Sequence, residues 1–230
     1  MEICILDTET TGLTPETGQC IEVAVVRYSL KHRAVVESMS QLFYADHNPL
    51  EHINHIPSEI LLGAILDSDC IWRQVEYCAS ECEAIIAHNA EFDQQWVPNE
   101  LLAWPWICTC HGVDWPLQTK PGSSLVDLAL AHGLAVVDPH RALSDCLLLA
   151  RLLNRCAELG HDVEAMLRRG LRPKGEFKAD VSFADKERAK QKGFKWDPAR
   201  KIWHKSMAVE DATRENLGFD VVRLDQGGAP

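Results

Sequence analysis

Hydrophobic and polar positions alternate through the first part of the chain in the way that β-strands require. Three such stretches cover residues 2–7, 20–30 and 34–44, and a polar turn over 31–33 separates the last two. Strands joined by short connections usually lie side by side in one sheet. The pattern therefore predicts three adjacent antiparallel strands.

Further along, the spacing of apolar residues becomes helical. It predicts helices over 58–64, 72–82 and 124–132, and a long helix over 142–159 whose leucines share one face. A short buried strand over 84–87 leads to another helix that begins after Asn89 and is kinked or ended by Pro98. Strands followed by alternating helices and strands predict an α/β domain with a mixed sheet.

A second pattern begins after a Gly- and Pro-containing stretch. We expect the first domain to cover residues 1–170, a linker 171–177, and a small α+β module 178–225. Within the module, the pattern predicts strands over 178–183 and 219–224, a hairpin over 194–204, and helices over 185–192 and 209–216.

Composition and cysteine usage limit the class of protein. The chain has 230 residues, is 46% hydrophobic, and contains no apolar run near the ~20 residues that a membrane span needs. The start lacks the basic region of a signal peptide, so we expect a cytoplasmic protein. Nine scattered cysteines predict reduced thiols rather than disulfides. Cys108-Thr-Cys-His111 could indicate zinc, but no second ligand pair follows at finger spacing.

Charge is distributed unevenly along the chain. The total is −11, yet residues 1–172 contain 11 basic and 24 acidic side chains, a net of −13. Residues 173–206 contain 10 basic and 5 acidic side chains, a net of +5. An acidic domain joined to a basic segment indicates that the two parts have different tasks.

Two acidic residues follow the apolar start of the first predicted strand. Asp7 and Glu9 lie two residues apart in Asp-Thr-Glu-Thr-Thr-Gly-Leu, so on a strand both side chains point to the same face. Two such carboxylates repel each other unless a cation lies between them, and oxygen ligands favour Mg²⁺ or Mn²⁺. Taken alone, however, this pair is more typical of a solvated surface.

Two more acidic residues occur near the start of predicted helices. Asp93 ends His-Asn-Ala-Glu-Phe-Asp, where it could simply complement the helix dipole. Asp145 lies on or beside the apolar face of the long helix, where an acid is rare unless it is paired or metal-bound. His140 precedes that helix and could either lie over a site or be structural. We expect no cation among the motif residues to neutralise the four carboxylates.

In this order and spacing, the three segments resemble the motifs of the DEDDh, or DnaQ-like, exonucleases. That group includes the epsilon subunit of bacterial DNA polymerase III, exonuclease X, ribonuclease T and oligoribonuclease. The likeness covers about residues 1–165, including Trp106-Ile-Cys-Thr109. It implies a ribonuclease H-like fold, a mixed sheet flanked by helices, which agrees with the predicted domain.

The resemblance also implies a role for each matching residue. Two Mg²⁺ ions, for which Mn²⁺ could substitute, would be held by Asp7, Glu9, Asp93 and Asp145, with Asp7 bridging both. His140 would act as the general base on the attacking water. Two metals about 4 Å apart stabilise the entering and leaving oxygens of a phosphoryl displacement. Contacts to the 3′-terminal nucleotide are implied for Glu9, Thr10, Gly12, Leu13, His88, Asn89 and Phe92.

Basic and aromatic residues are interleaved in the C-terminal module. The pattern Lys-x-x-Gly-x-x-Trp-Asp, followed by Lys-x-Trp, resembles a small domain appended to various nucleic-acid enzymes and, more loosely, the HARP module of annealing helicases. Such a surface can bind phosphates and stack on bases. Candidate contacts are Lys190, Lys195, Trp196 and Lys201. Alternatively, Trp196 and Trp203 form the small core of the module.

The sequence therefore predicts a metal-dependent 3′→5′ exonuclease. We expect it to act on DNA with a single-stranded or frayed 3′ end and to release nucleoside 5′-monophosphates. A nucleic acid with a free 3′ end is the expected partner, a replication or repair protein could be another, and no membrane is expected. The alternatives are an RNA exonuclease of the ribonuclease T or oligoribonuclease kind, a polymerase-bound proofreading subunit, and an inactive end-binding protein.

Overall fold

The computed structural model describes residues 1–118 and 122–224, and the chain divides into two units, with the second beginning at Arg172. The first unit contains a five-stranded sheet in the order β3-β2-β1-β4-β5. Strands β1 to β3 are antiparallel neighbours, as predicted, and β4 and β5 run parallel to β1. The mixed sheet of the predicted fold class is thus confirmed. The strands are β1 (Glu2–Thr10), β2 (Cys20–Ser29), β3 (Ala34–Leu42), β4 (Ala84–Ala87) and β5 (Trp106–Cys108).

Helices cover both faces of this sheet. Because strand side chains alternate, Ile3 and Ile5 pack into one core, while Cys4 and Leu6 pack into the other. The helices are α1 (Glu51–Asn54), α2 (Ser58–Leu61), α3 (Asp69–Ser80), α4 (Ala90–Asp93), α5 (Asn99–Leu102), α6 (Leu125–Ala131), α7 (Ala142–Glu158) and α8 (Val163–Gly170). Among the described residues, no helix combines the length and apolar character that crossing a membrane requires. All nine cysteines are free thiols.

Several elements differ from the sequence-based expectation. Pro98 was expected to kink or end the helix after Asn89, but this helix already ends at Asp93, and Pro98 instead precedes the separate helix α5. Strand β5 was not predicted, since three residues are too few for a period to be recognised. Helix α8 was also missed; its first turn is capped by Asp162, whose side chain accepts a hydrogen bond from the Ala165 amide.

The second unit is a small α+β structure. Four antiparallel strands lie in the order β7-β8-β6-β9, namely β6 (Lys174–Asp180), β7 (Lys195–Asp197), β8 (Ile202–Ala208) and β9 (Asp220–Arg223). Two short helices accompany them, α9 (Lys186–Gln191) and α10 (Arg214–Leu217). The core of this unit consists of Phe177, Ala179, Ala189, Phe194, Met207, Leu217 and Phe219.

The predicted linker over 171–177 needs correction, because β6 already begins at Lys174. Gly175, which suggested a loop, lies inside this strand opposite Met207. A Cβ there would come within 2.9 Å of Nε of Arg223, so the glycine permits a close approach rather than a turn. The predicted helix over 209–216 is likewise two pieces, a 3₁₀ turn at Val209–Asp211 and then α10.

Candidate active site

Three carboxylates converge where the centre of the sheet meets helix α7. Asp7 and Glu9 extend from the same face of β1, as strand alternation predicts, and the first turn of α7 brings Asp145 beside them. One carboxylate oxygen from each lies within 4.8 Å of the others. All three side chains are partly buried. The first and third sequence motifs, more than 130 residues apart, thus form one acidic cluster.

The fourth predicted acid, Asp93, lies next to this cluster but deeper. It is only 2% exposed, and its Oδ1 accepts hydrogen bonds from the Thr8 amide at 3.1 Å and the Thr8 hydroxyl at 2.9 Å. Thr8 lies between the two acids of β1, so these bonds hold α4 against the strand that carries the cluster. Asp93 is not one of the three residues within 4.8 Å, although its charge acts on Asp7.

Burial raises the pKa values of these four acids. It raises the pKa of Glu9 to about 8 and that of Asp93 to about 7. It also raises the pKa of Asp7 well above its usual range, with the charge of Asp93 as the next cause, and raises the pKa of Asp145. Glu9 therefore retains its proton near neutral pH, and Asp93 retains its proton in part, unless a cation compensates their charge.

The donor set fits a hard divalent cation. Its ligand atoms are all carboxylate oxygens, which Mg²⁺ and Mn²⁺ prefer over the softer sulfur and nitrogen ligands of zinc sites. Across residues 1–118 and 122–224, this is also the one group of acidic, histidine or cysteine side chains close enough to share a metal ion. The Cys108–His111 stretch, considered above for zinc, forms no such group there.

A buried ion pair that the sequence did not reveal stabilises one side of the cluster. The carboxylate of Glu22, on β2, is 2% exposed and accepts two parallel hydrogen bonds from Arg141, at 3.0 Å from Nε and 3.1 Å from Nη2. It also accepts from the Ala142 amide at 3.2 Å and the Ser40 hydroxyl at 2.8 Å. Because Ala142 is the first residue of α7, Glu22 caps this helix from a neighbouring strand.

This pair also corrects the expectation that the motifs contain no cation. Arg141 lies close enough to Glu9 to oppose the rise of its pKa. Its charge is nevertheless paired with Glu22, which lies opposite Glu9 in the register of β1 and β2, so among the described residues the four carboxylates keep an excess of negative charge. One feature of the sequence could have indicated this pair. Glu22 is the single acid in the apolar run Cys-Ile-Glu-Val-Ala, and a buried acid needs hydrogen-bonding or charged partners.

His140 is connected to the cluster through its backbone. Its amide donates to Oδ2 of Asp145 at 3.1 Å, and this bond opposes the rise of the Asp145 pKa. The residue is exposed and has a φ of 66°, a left-handed conformation that histidine adopts more readily than most residues. His140 is thus held at the edge of the cluster, with an exposed side chain.

The predicted contacts after β1 lie in a tightly built loop. Leu13 is 74% exposed, whereas Thr10 is buried and donates from its hydroxyl to the Gly12 carbonyl at 2.7 Å. Gly12 and Gly18 touch through their backbones, so that a Cβ on Gly18 would lie 2.5 Å from the Gly12 nitrogen. The buried side chain of Asn54 donates to the Thr10 carbonyl at 3.3 Å and holds the end of β1.

In the second motif, the side chain of His88 is held inside the protein. Both ring nitrogens of His88 are engaged inside the protein, with the Thr109 hydroxyl at 3.1 Å and the Ser123 carbonyl at 3.0 Å. Burial lowers the pKa of His88, which favours a neutral ring that donates from Nε2. Asn89 is exposed with a φ of 78°, and the partly buried Phe92 packs near Trp96 at 5.9 Å between ring centroids.

The four candidate contacts in the second unit separate into two sets. Lys190 and Trp196 line one cleft, whereas Lys195 and Lys201 are exposed and are not among its lining residues. Trp196 is 46% exposed, so it is not a core residue. Trp203 packs partly against the core of the unit.

Comparisons with known proteins agree with this arrangement. The chain is similar to the DNA polymerase III subunit epsilon of Treponema pallidum (strain Nichols), at 28% identity over 151 residues, 60% of this chain and 68% of the relative. It is similar to a structure of exonuclease X in complex with 5′ overhanging duplex DNA, at 28% identity and a TM-score of 0.55, covering 73% of this chain and 99% of that one.

A further solved structure shares the fold alone. It is the nuclease domain of 3′hExo, described as a DEDDh family member bound to rAMP, at 18% identity and a TM-score of 0.55 over 69% of this chain and 92% of that one. Residues 175–224 match a family model described as "Domain of unknown function (DUF8626)", which assigns no activity to the second unit. Together with the acidic cluster and the mixed sheet, these likenesses show that residues of the first unit are similar in sequence and fold to the DEDDh, or DnaQ-like, 3′→5′ exonucleases.

Proposed function

We propose that the protein is a metal-dependent exonuclease that shortens DNA from a single-stranded or frayed 3′ end and releases nucleoside 5′-monophosphates. The observation that carries this proposal is the convergence of Asp7, Glu9 and Asp145, with Asp93 close enough for its charge to raise the pKa of Asp7. DNA is favoured over other substrates because the relatives include an exonuclease bound to DNA and a DNA polymerase subunit.

The four acids would hold Mg²⁺, as two ions with Mn²⁺ as a substitute, and the metal would neutralise charge on the scissile phosphate. His140 would take the proton of the attacking water as general base. Its backbone bond to Asp145 supports this role, because it fixes the start of the His140 side chain relative to the cluster. A neutral imidazole suits proton removal near pH 7.

The loop after β1 would hold the 3′-terminal nucleotide. Leu13 is 74% exposed and offers an apolar surface for the last base, while Glu9 would contact the 3′-hydroxyl. The contacts between Gly12 and Gly18 leave little freedom in this loop, which supports a positioning role. For the second motif, Asn89 and Phe92 would contact the nucleotide, and His88 would hold their segment in place.

A comparison of DNA and RNA substrates tests the proposed preference for DNA. Degradation of DNA and RNA oligonucleotides of matched sequence, in Mg²⁺, should be faster on DNA. A faster rate on RNA would favour the alternative, an RNA exonuclease, for which the fold shared with an rAMP-bound nuclease domain is the supporting observation. Co-purification with a polymerase would support a proofreading role, which the epsilon-like relative suggests. We assign the protein to the cytoplasm, in keeping with its nine thiols.

A further inference from the structure

A cleft in the second unit combines aromatic and basic side chains. It has a volume of about 320 Å³ and is lined by Phe183, Lys186, Glu187, Lys190, Trp196 and Trp203. This volume lies at the lower end of the range for small-ligand sites, about 300–1,000 Å³. The cleft lies within residues 175–224, for which the matching family model gives no function.

The aromatic residues of the cleft are unusually accessible. Phe183 is 82% exposed and Trp196 is 46% exposed. Beside Trp196, the ring of Trp203 lies 5.6 Å away between centroids and is anchored by its contacts with the core of the unit. Large aromatic surfaces left open on one side of a small unit are typical of binding sites rather than of core packing.

The basic residues lie on one side of this aromatic surface. Lys186 and Lys190 are one helical turn apart on α9, so both extend from the same face of the helix. The Lys186 ammonium lies 4.0 Å from the centre of the Phe183 ring. Glu187 is the one acidic residue of the lining, and it lies 3.9 Å from the Lys190 ammonium in an exposed pair.

We propose that this cleft binds single-stranded nucleic acid, with bases stacked on Phe183 and Trp196 and backbone phosphates at Lys186 and Lys190. Aromatic faces accept any base, and lysines bind phosphate without regard to sequence. The net charge of +5 over residues 173–206, in a chain of net charge −11, supplies the complementary field for a polyanion. The cleft belongs to the second unit and the acidic cluster to the first, and binding in the cleft does not require exonuclease activity.

The cleft also revises the candidate contacts in this unit. Phe183 and Lys186, which the sequence did not single out, belong to it, whereas Lys195 does not. Lys195 and Trp196 are successive residues of β7, so their side chains point to opposite faces. Lys195 is therefore a charge-matched control within the same unit.

Binding can be measured on the full chain without cleavage. A 5′-fluorescein-labelled oligothymidylate is titrated with protein in excess EDTA, and fluorescence anisotropy gives the dissociation constant at several salt concentrations. We expect Phe183→Ala and Trp196→Ala each to weaken binding by roughly 5- to 100-fold, the effect of losing one stacked base. Lys186→Glu should weaken binding and make its salt dependence shallower.

Two matched variants test whether the effect is local. Lys195→Glu makes the same charge change outside the cleft, and Val222→Ala removes apolar surface from a residue that is 52% exposed. Both should bind within about 3-fold of the unchanged protein, because neither removes a stacked base or a cleft lysine. Near-ultraviolet circular dichroism of every variant checks that the fold is retained.

Three results would overturn the proposal. The first is no binding of the oligothymidylate by the unchanged protein. The second is an equal loss in Lys186→Glu and Lys195→Glu, which would indicate a diffuse basic surface. The third is unchanged affinity in both aromatic variants, which would indicate a protein partner instead. An inactive exonuclease would contradict the proposed function yet leave this binding result unaffected.

Discussion

Replacing Glu22 by Gln tests whether the partly buried pair with Arg141 positions the segment that contains Asp145. The substitution keeps the size of the side chain but removes its charge and one acceptor oxygen, while Arg141 still presents two donors at about 3 Å. The Arg141 side chain is 38% exposed, so water partly compensates the guanidinium that loses its partner, and the main cost is that of the weakened or lost charged hydrogen bonds, about 1.5–3 kcal/mol each. Since Gln retains one acceptor, we expect a loss of about 2–4 kcal/mol in the free energy of unfolding.

This loss should appear both in stability and in turnover. For a unit of this size, each kcal/mol lowers Tm by about 2–4 °C, so Glu22→Gln should lower Tm by about 4–16 °C. The same change weakens the attachment of α7, because one remaining oxygen must replace the two that accept from Arg141, Ser40 and the Ala142 amide, three residues before Asp145. A displacement of the order of 1 Å at a catalytic group can cost up to ~10²-fold in rate. We therefore expect kcat to fall about 10- to 100-fold, with a smaller change in KM.

A matched control distinguishes positioning from a general loss of charge. Glu37 on β3 pairs with Arg27 at 3.5 Å, but its side chain is 48% exposed. Glu37→Gln should cost less than about 1 kcal/mol and leave kcat unchanged, because exposed pairs contribute little. Thermal unfolding gives the Tm of each variant. Steady-state kinetics, measured well below both Tm values, gives kcat. If the two variants match in Tm and in kcat, Glu22 does not position the site.

Three further predictions concern the acids, the base and the loop after β1. Because Glu9 and Asp93 release their protons near pH 8 and pH 7 in the fold but near pH ~4 when unfolded, metal-free protein should lose stability as pH rises from ~4.5 to 8. Mg²⁺ should raise Tm more at pH 8 than at pH 5.5, since it binds the ionised acids. In a Glu9→Gln protein, both the loss of stability with pH and the effect of Mg²⁺ should be smaller. Identical curves of Tm against pH for the two proteins would contradict this dependence on Glu9. His140→Ala should lower kcat by ~10²–10⁴ while largely sparing oligonucleotide affinity, and another base is at work if the acidic limb of the pH–rate profile persists in this variant. Gly18→Ala, whose Cβ would lie 2.5 Å from the Gly12 nitrogen, should lower both Tm and kcat/KM, whereas Gly63→Ala, with its nearest neighbour at 3.8 Å, should change neither; equal behaviour of the two would show that the loop tolerates displacement.

The central strands and the individual acids can be recognised from local patterns in the sequence, whereas the convergence of the acids was implied by the resemblance to the DEDDh exonucleases. Alternation identifies β1 to β3, and Asp7 and Glu9 share a face because they are two residues apart on a strand. Asp145 was recognisable as an acid beside the apolar face of a long helix. Each of these features depends only on residues that are close together in the sequence, so each can be predicted without the fold.

The parts that were missed depend on contacts between distant residues. Glu22 and Arg141 are 119 positions apart in the sequence. Only the fold shows that Glu22 caps α7, the helix that begins directly after Arg141. The engagement of His88 with Thr109 and Ser123 likewise depends on how β4 and β5 are placed. In the second unit, lysines interleaved with tryptophans suggested Lys195 as a nucleic-acid contact. Lys195 and Trp196 are successive residues of β7, however, so their side chains lie on opposite faces of the strand.

The most direct test of the proposed function follows the polarity and metal dependence of cleavage on one substrate. A single-stranded DNA oligonucleotide is labelled at its 5′ end in one sample and at its 3′ end in another, and products are resolved by gel electrophoresis over time. In Mg²⁺, the 5′-labelled strand should shorten one nucleotide at a time, and the 3′ label should leave first as a mononucleotide. Excess EDTA, or Asp7→Asn, should abolish both. Cleavage that persists in EDTA, internal fragments, or shortening from the 5′ end would contradict the account.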